Sequence, residues 1–195
     1  MTKRHRRMLL SVITGLLALA TVKLVIPGAP ELPLLEDIGG ALQAPSTRGR
    51  EVSLADFRGR VVLLNFGFTS CPDVCPTVLA RMRALLLDLD ALNVSVQPLF
   101  VTIDPERDRL PALDRYLRHF HPRLIGLRPK PDELERIAAR YRAVYQRESM
   151  PSGVDYGFAH SSHIYLIDQE GRVRAMFGAG ARLPEMVASV RRLGS

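Results

Sequence analysis

The sequence predicts an α/β domain, a mixed sheet flanked by helices, preceded by an N-terminal transmembrane helix. Three observations predict it. A short basic start runs into a long apolar stretch. The run Val61-Val62-Leu63-Leu64-Asn65-Phe66 has the near-continuous apolar character of a strand buried on both faces. After it, strand and helix patterns alternate until two extended segments meet around Gln169-Glu170-Gly171, which reads as an antiparallel hairpin. The chain has 195 residues, of which 47% are hydrophobic and 24% charged. That is ordinary globular composition, enough for one core plus an extension.

Lys3 to Arg7 precede the apolar stretch Met8 to Val22, which resumes as Leu24 to Ile26 after Lys23 and stops at Pro27. A bilayer core takes about 20 apolar residues as a helix, so residues 1–26 read as a membrane anchor with Lys23 reaching the outer interface. Positive charge stays on the cytoplasmic side, which leaves the rest of the chain outside the cytoplasm. The competing reading is a cleaved signal peptide, with Ala18-Leu19-Ala20 as a small-x-small site. The start has no extended Arg- and Ser-rich presequence, so the expected location is a bacterial inner membrane, single-pass, with the domain facing the periplasm or cell exterior. The formal charge of +7 owes five charges to Lys3, Arg4, Arg6, Arg7 and Lys23, leaving +2 for the remainder. No basic stripe interleaved with aromatics follows and Trp is absent, which argues against nucleic acid as a partner.

Residues 27–41, punctuated by Pro27, Pro30, Pro33, Gly39 and Gly40, form the expected linker, and residues 42–195 the domain. Glu51 to Leu54 suggests a short strand, and Arg58-Gly59-Arg60 a turn into the central strand Val61 to Phe66. A helix is expected from Pro72 to Leu89, with Leu79, Met82, Leu86 and Leu89 as its core-facing stripe. Val94 to Ile103 reads as a second strand, and strand, helix, strand at this spacing implies a right-handed parallel crossover. Asp104-Pro105-Glu106-Arg107-Asp108 should end that strand and open a helix through His119. Then come a strand at Leu124 to Leu127, a helix from Pro131 to Arg142 and an extended Val144 to Glu148. The hairpin strands are His163 to Asp168 and Arg172 to Phe177, and Leu183 to Leu193 closes the chain as a helix. Parallel strands followed by an antiparallel hairpin and a last helix describe a thioredoxin-like sheet.

Cys71 and Cys75 are the only cysteines. Placed where an apolar strand turns into a helix, both thiols sit at a helix N-terminus, where free amides and the macrodipole favour thiolate. Their i, i+4 spacing puts both sulfurs on one side of a first turn. Redox motifs more often leave two residues between the cysteines, so the third residue here hints at metal. Soft thiolates select reduced copper or zinc. A staple role is disfavoured because a disulfide across so short a loop constrains little. Asp73 reads as complementing the helix dipole.

Four histidines can supply a third ligand, His5 being in the basic start. His119 and His121 end a charged helix, where solvated capping is the simpler role. His163 alternates with Tyr165 and Ile167 and reads as half-buried and hydrogen-bonded. His160 lies in the turn feeding that strand, beside the helix start in a thioredoxin-like sheet. From the residues alone it is either a third ligand or a structural histidine.

Three segments now resemble one family. Phe66-Gly67-Phe68-Thr69-Ser70-Cys71-Pro72-Asp73-Val74-Cys75-Pro76, Val101-Thr102-Ile103-Asp104-Pro105-Glu106-Arg107-Asp108, and Asp155-Tyr156-Gly157-Phe158-Ala159-His160-Ser161 with Tyr165-Leu166-Ile167-Asp168 are similar in order and spacing to the Sco/SenC copper chaperones. The resemblance implies copper as cargo, with Cys71, Cys75 and His160 as its ligands and His163 excluded. It implies delivery to the Cu(A) site of the copper-bearing subunit of cytochrome c oxidase, with other copper chaperones or thiol reductases as further partners, and no bond-breaking chemistry of its own. Cys71 and Cys75 would also form a redox-active disulfide. The alternative is a thiol-disulfide oxidoreductase that keeps the oxidase cysteines reduced. Ser162 stands where such enzymes usually carry a cis-proline, which disfavours a general reductase. Asp104 and Arg107 either shape the loop beside the site or form an ordinary cap and ion pair.

Overall fold

The computed structural model describes residues 31–149 and 156–194. The anchor read into residues 1–26 lies outside them. Among the described residues no helix is long and apolar enough to cross a membrane.

A hairpin of β1 (Gln43–Pro45) and β2 (Glu51–Ser53) opens the domain, followed by a 3-10 turn at Leu54–Phe57. The central strand β3 (Val61–Gly67) leads into α1 (Val74–Ala91), and β4 (Val96–Thr102) into α2 (Leu110–Arg118). Then follow β5 (Ile125–Leu127), α3 (Pro131–Tyr141), a second hairpin of β6 (Tyr145–Glu148) and β7 (Gly157–His160), β8 (Ile164–Ile167), β9 (Val173–Phe177) and α4 (Leu183–Gly194). Five strands form the main sheet in the order β5-β4-β3-β8-β9. β3 runs parallel to β4, and β4 to β5, while β8 is antiparallel to both β3 and β9. This is the expected mixed sheet.

All residues of β3 and β4 are buried, as a strand covered on both faces requires. Alternation splits β3 between two cores. Leu64 and Phe66 join Leu134, Ile137 and Tyr141 of α3 on one face. Val61 and Leu63 join Leu79, Met82, Leu86 and Leu89 of α1, with Met186 and Val190 of α4, on the other. The predicted stripe of α1 is therefore the one that packs.

Three departures from expectation bear on the site. α1 begins at Val74, two residues late, because Asp73 takes a non-helical conformation (φ −137°, ψ −67°) and serves as the N-cap. Asp73 thus precedes the helix instead of occupying its first turn. α2 begins at Leu110, because the acids of the preceding loop turn inward: the buried carboxylate of Asp108 accepts the Thr69 amide and the Thr102 hydroxyl, and that of Asp104 accepts the Tyr156 hydroxyl. β7 was expected as a turn. Gly157 to His160 instead pairs antiparallel with Tyr145 to Glu148, in a hairpin separate from the main sheet.

Candidate metal centre

The site forms at the end of β3. Gly67 is required there by close approach, since a Cβ would lie 2.8 Å from Cys75 Sγ and 3.0 Å from the Phe100 ring. The chain then turns through Phe68 to Asp73 and enters α1, with Cys75 as its second residue. Cys75 is only 1% exposed; Cys71, in the turn, is half-buried. Asp73 makes no side-chain capping bond. Cys71 Sγ takes that role, accepting the Cys75 amide at 3.4 Å, and Cys75 Sγ accepts the Phe68 amide at 3.5 Å. One otherwise orphaned donor at the helix start and one just past the strand end are thereby spent on sulfur.

The turn is held from below by Asp108. Its buried carboxylate accepts the Thr69 amide at 3.1 Å, the Thr69 hydroxyl at 2.5 Å and the Thr102 hydroxyl at 2.5 Å. Burial pushes its pKa up, the threonine donors oppose this, and the nearby Asp104 charge adds to the rise. Sequence reasoning gave Asp108 no role. The available signal was two acids four residues apart, directly after the carboxyl end of a buried strand.

His160 ends β7. Its Nε2 lies 3.3 Å from Cys75 Sγ, and its Nδ1 lies 2.9 Å from the Ser161 carbonyl oxygen. A carbonyl only accepts, so Nδ1 carries a hydrogen and Nε2 is the nitrogen that faces the sulfurs. Phe68 packs edge-on against the same ring, 5.7 Å between centroids. The ligating atoms of Cys71, Cys75 and His160 all lie within 4.8 Å of one another. The structure thus brings together the three residues singled out in the sequence, and among the described residues this group could hold a metal ion.

The two thiols are electrostatically unlike. The hydrogen bond from Cys75 lowers the Cys71 pKa to about 3 against the effect of burial, with help from His160 and the amides of Cys75 and Asp73. Cys75 is pushed up by donating to Cys71 and by its own burial. Burial pulls His160 down, but hydrogen bonds to Cys71 and the Ser161 carbonyl outweigh it and the net shift is upward. The two shifts run in opposite directions, favouring negative charge on Cys71 and the proton on Cys75.

The other histidines among the described residues stand apart from this group. His119 meets the Arg115 carbonyl at 2.6 Å, the expected helix-end contact. His121, expected to be solvated, is buried, and its Nδ1 accepts the Arg123 amide at 3.3 Å. His163 is half-buried as expected, but its Nδ1 has no hydrogen-bond partner; its ring rests on Tyr165.

Asp104 and Arg107 do more than cap a helix. Arg107 Nε pairs with Asp104, its Nη1 donates to the Tyr156 carbonyl at 3.0 Å, and its guanidinium lies 3.7 Å from the Tyr156 ring centroid. The Tyr156 hydroxyl donates to Asp104 at 3.0 Å. Beside Cys71 an open groove of about 290 Å³ is lined by Phe68, Pro72, Val74, Tyr156 and Phe158.

This chain is similar to several known proteins. The bovine mitochondrial SCO2 homologue (Bos taurus) is 40% identical over 147 residues, 74% of this chain and 55% of that protein, so the chain spans little more than half of it. An SCO2-like protein of Rickettsia conorii is 34% identical over 169 residues, covering 85% of this chain and 82% of its own. The structure of Bradyrhizobium japonicum ScoI with copper bound superposes with a TM-score of 0.72 at 33% identity, covering 80% of this chain and 99% of that one. The SCO1/SenC family model matches residues 31–195, which takes in every element of the fold and all three converging side chains, and the chain belongs to the SCO1/SenC family.

Proposed function

We propose that this protein is a membrane-tethered copper chaperone that holds one copper ion through Cys71, Cys75 and His160 and passes it by ligand exchange to the Cu(A) site of cytochrome c oxidase. One observation carries the reading: two sulfurs and an imidazole nitrogen converge within 4.8 Å. Two thiolates and one imidazole suit reduced copper by softness. The copper named for the Bradyrhizobium relative supports the same cargo here.

The side chains divide the work. The lowered pKa of Cys71 favours thiolate, the ligand form that an arriving ion needs; Cys75, shifted upward, gives up its proton to solvent as the ion binds. His160 needs no tautomer change, since Ser161 holds the proton on the far nitrogen. Oxidation of the pair to a disulfide removes both sulfur ligands, so loading follows the dithiol state. A helix in residues 1–26, upstream of a linker at 27–41 and the domain at 42–195, would keep the site near a membrane-embedded client on the periplasmic side and raise its local concentration.

A second reading is favoured by the contrast between a half-exposed thiolate and a buried thiol, which also suits an attacking and a resolving cysteine. That oxidoreductase needs no imidazole. The test is copper stoichiometry and oxidase assembly with the reduced wild-type protein against His160→Ala. Loss of both in the variant supports the chaperone; retention of both supports the oxidoreductase.

A further inference from the structure

The hairpin that carries His160 shares no strand pairing with the main sheet, which holds the cysteines at the end of β3. Only Ser161 to His163 link His160 to β8 of that sheet, where Asn65 Nδ2 donates to the His163 carbonyl at 2.9 Å, so the placement of the rest of the hairpin falls to side chains. The strongest of these contacts gather on Tyr156, the residue entering β7. Arg107 crosses one side of its ring at 3.7 Å from the centroid and Arg147 of β6 crosses it at 3.4 Å, a sandwich that two guanidinium groups can only make from opposite faces. The Tyr156 carbonyl accepts Arg107 Nη1 at 3.0 Å, and the hydroxyl binds Asp104 at 3.0 Å and Glu106 at 3.3 Å. Arg107 in turn pairs with Asp104, which is 2% exposed. The same guanidinium lies 6.0 Å from the Phe68 ring, which packs on both Phe158 and His160.

We infer that Arg107 is a positioning residue: by locking Tyr156 to the loop after β4, it fixes the strand that presents His160 to Cys71 and Cys75. The inference rests on the metal reading proposed above. Arg107 touches neither sulfur and supplies no ligand. Its planar fork is what the arrangement uses, donating to a carbonyl and a carboxylate while lying flat on a ring, which a lysine ammonium cannot reproduce.

The full-length protein in detergent tests this. Reduced-copper affinity is measured by competition with a chromophoric chelator, and the Cys71–Cys75 dithiol-disulfide equilibrium by exchange with glutathione, for wild type, Arg107→Met, Arg107→Lys, Tyr156→Phe, His160→Ala and Arg107→Met with His160→Ala. Arg107→Met should weaken copper binding about tenfold, as loss of an outer supporting contact typically does. Arg107→Lys should not restore it, and Tyr156→Phe should give a smaller loss of the same sign. The dithiol equilibrium should stay within about twofold, because the cysteines are held by Asp108 and the helix start. In the His160→Ala background, Arg107→Met should cost nothing more, since a positioning residue has nothing left to position. An unchanged affinity in Arg107→Met, or an equal loss in both backgrounds, overturns the inference. Should Arg107→Met not fold, Tyr156→Phe with and without His160→Ala decides by the same comparison. If wild type and His160→Ala bind copper alike, the metal reading itself fails, a result distinct from the other two.

Discussion

Nε2 of His160 stands 3.3 Å from Sγ of Cys75, across 85 residues of sequence. The ring is already in its ligating tautomer, so no residue need move far for the group to close on an ion. Replacing His160 with alanine should weaken reduced-copper binding by more than about tenfold. The same change should leave the dithiol of Cys71 and Cys75 able to form and break its disulfide. Chelator competition and alkylation after oxidation measure the two effects separately.

The unequal thiols predict unequal chemistry. With its pKa lowered to about 3, Cys71 is a thiolate at pH 5, where an ordinary thiol of pKa about 8.5 is not. Brief iodoacetamide treatment at pH 5 followed by peptide mass spectrometry should find label on Cys71 and almost none on Cys75. Because the hydrogen bond from Cys75 is the largest lowering influence, Cys75→Ala should raise the Cys71 pKa and slow its labelling at pH 5. Equal labelling of the two cysteines in wild type would contradict this picture.

Much of this was legible in the sequence, for physical reasons. The continuous apolar run of β3 could only be a strand covered on both faces, and the stripe of α1 could only be its cover. The cysteines were placed by that same strand-to-helix junction. What failed to show was anything depending on distant partners. Asp108 looks like a helix-opening acid until Thr69, 39 residues away, is seen to need it. β7 hides because Gly157 to His160 has no alternating pattern and pairs only with β6, outside the main sheet. His160 could not be told from a structural histidine by its neighbours, since what marks it lies at the far end of the chain.

Asp108 is the support of the cysteine turn and should behave as one. In Asp108→Asn the amide NH₂ must face a donor that the carboxylate accepted, leaving a buried polar group unsatisfied at a cost of about 2 kcal/mol. For a domain of this size that corresponds to about 4–8 °C in Tm. Differential scanning calorimetry of the two proteins checks it. A substitution without effect on Tm would mean that the turn holds itself.

Asp168 predicts the acid limb of stability. It sits at the end of β8 with its carboxylate 1% exposed, accepting the Arg172 amide at 2.9 Å, the Glu170 amide at 3.1 Å, Arg172 Nε at 3.0 Å and Arg174 Nη1 at 3.1 Å. Burial pushes its pKa up, but the Arg172 amide and the two guanidinium groups outweigh it and the net shift is downward. A carboxyl depressed in the folded state binds its proton more weakly there than in the unfolded chain. Its contribution is therefore present above the unfolded pKa of about 3.9 and is lost as pH falls through the folded value. Asp168→Asn should cost about 1–3 kcal/mol at pH 7, where the carboxylate is charged and fully bonded. Urea unfolding from pH 7 down to pH 3 should show the wild-type and variant midpoints drawing together at the acid end. A gap that stays constant across that range would mean that the hydrogen-bonded geometry, and not the charge, is what Asp168 supplies.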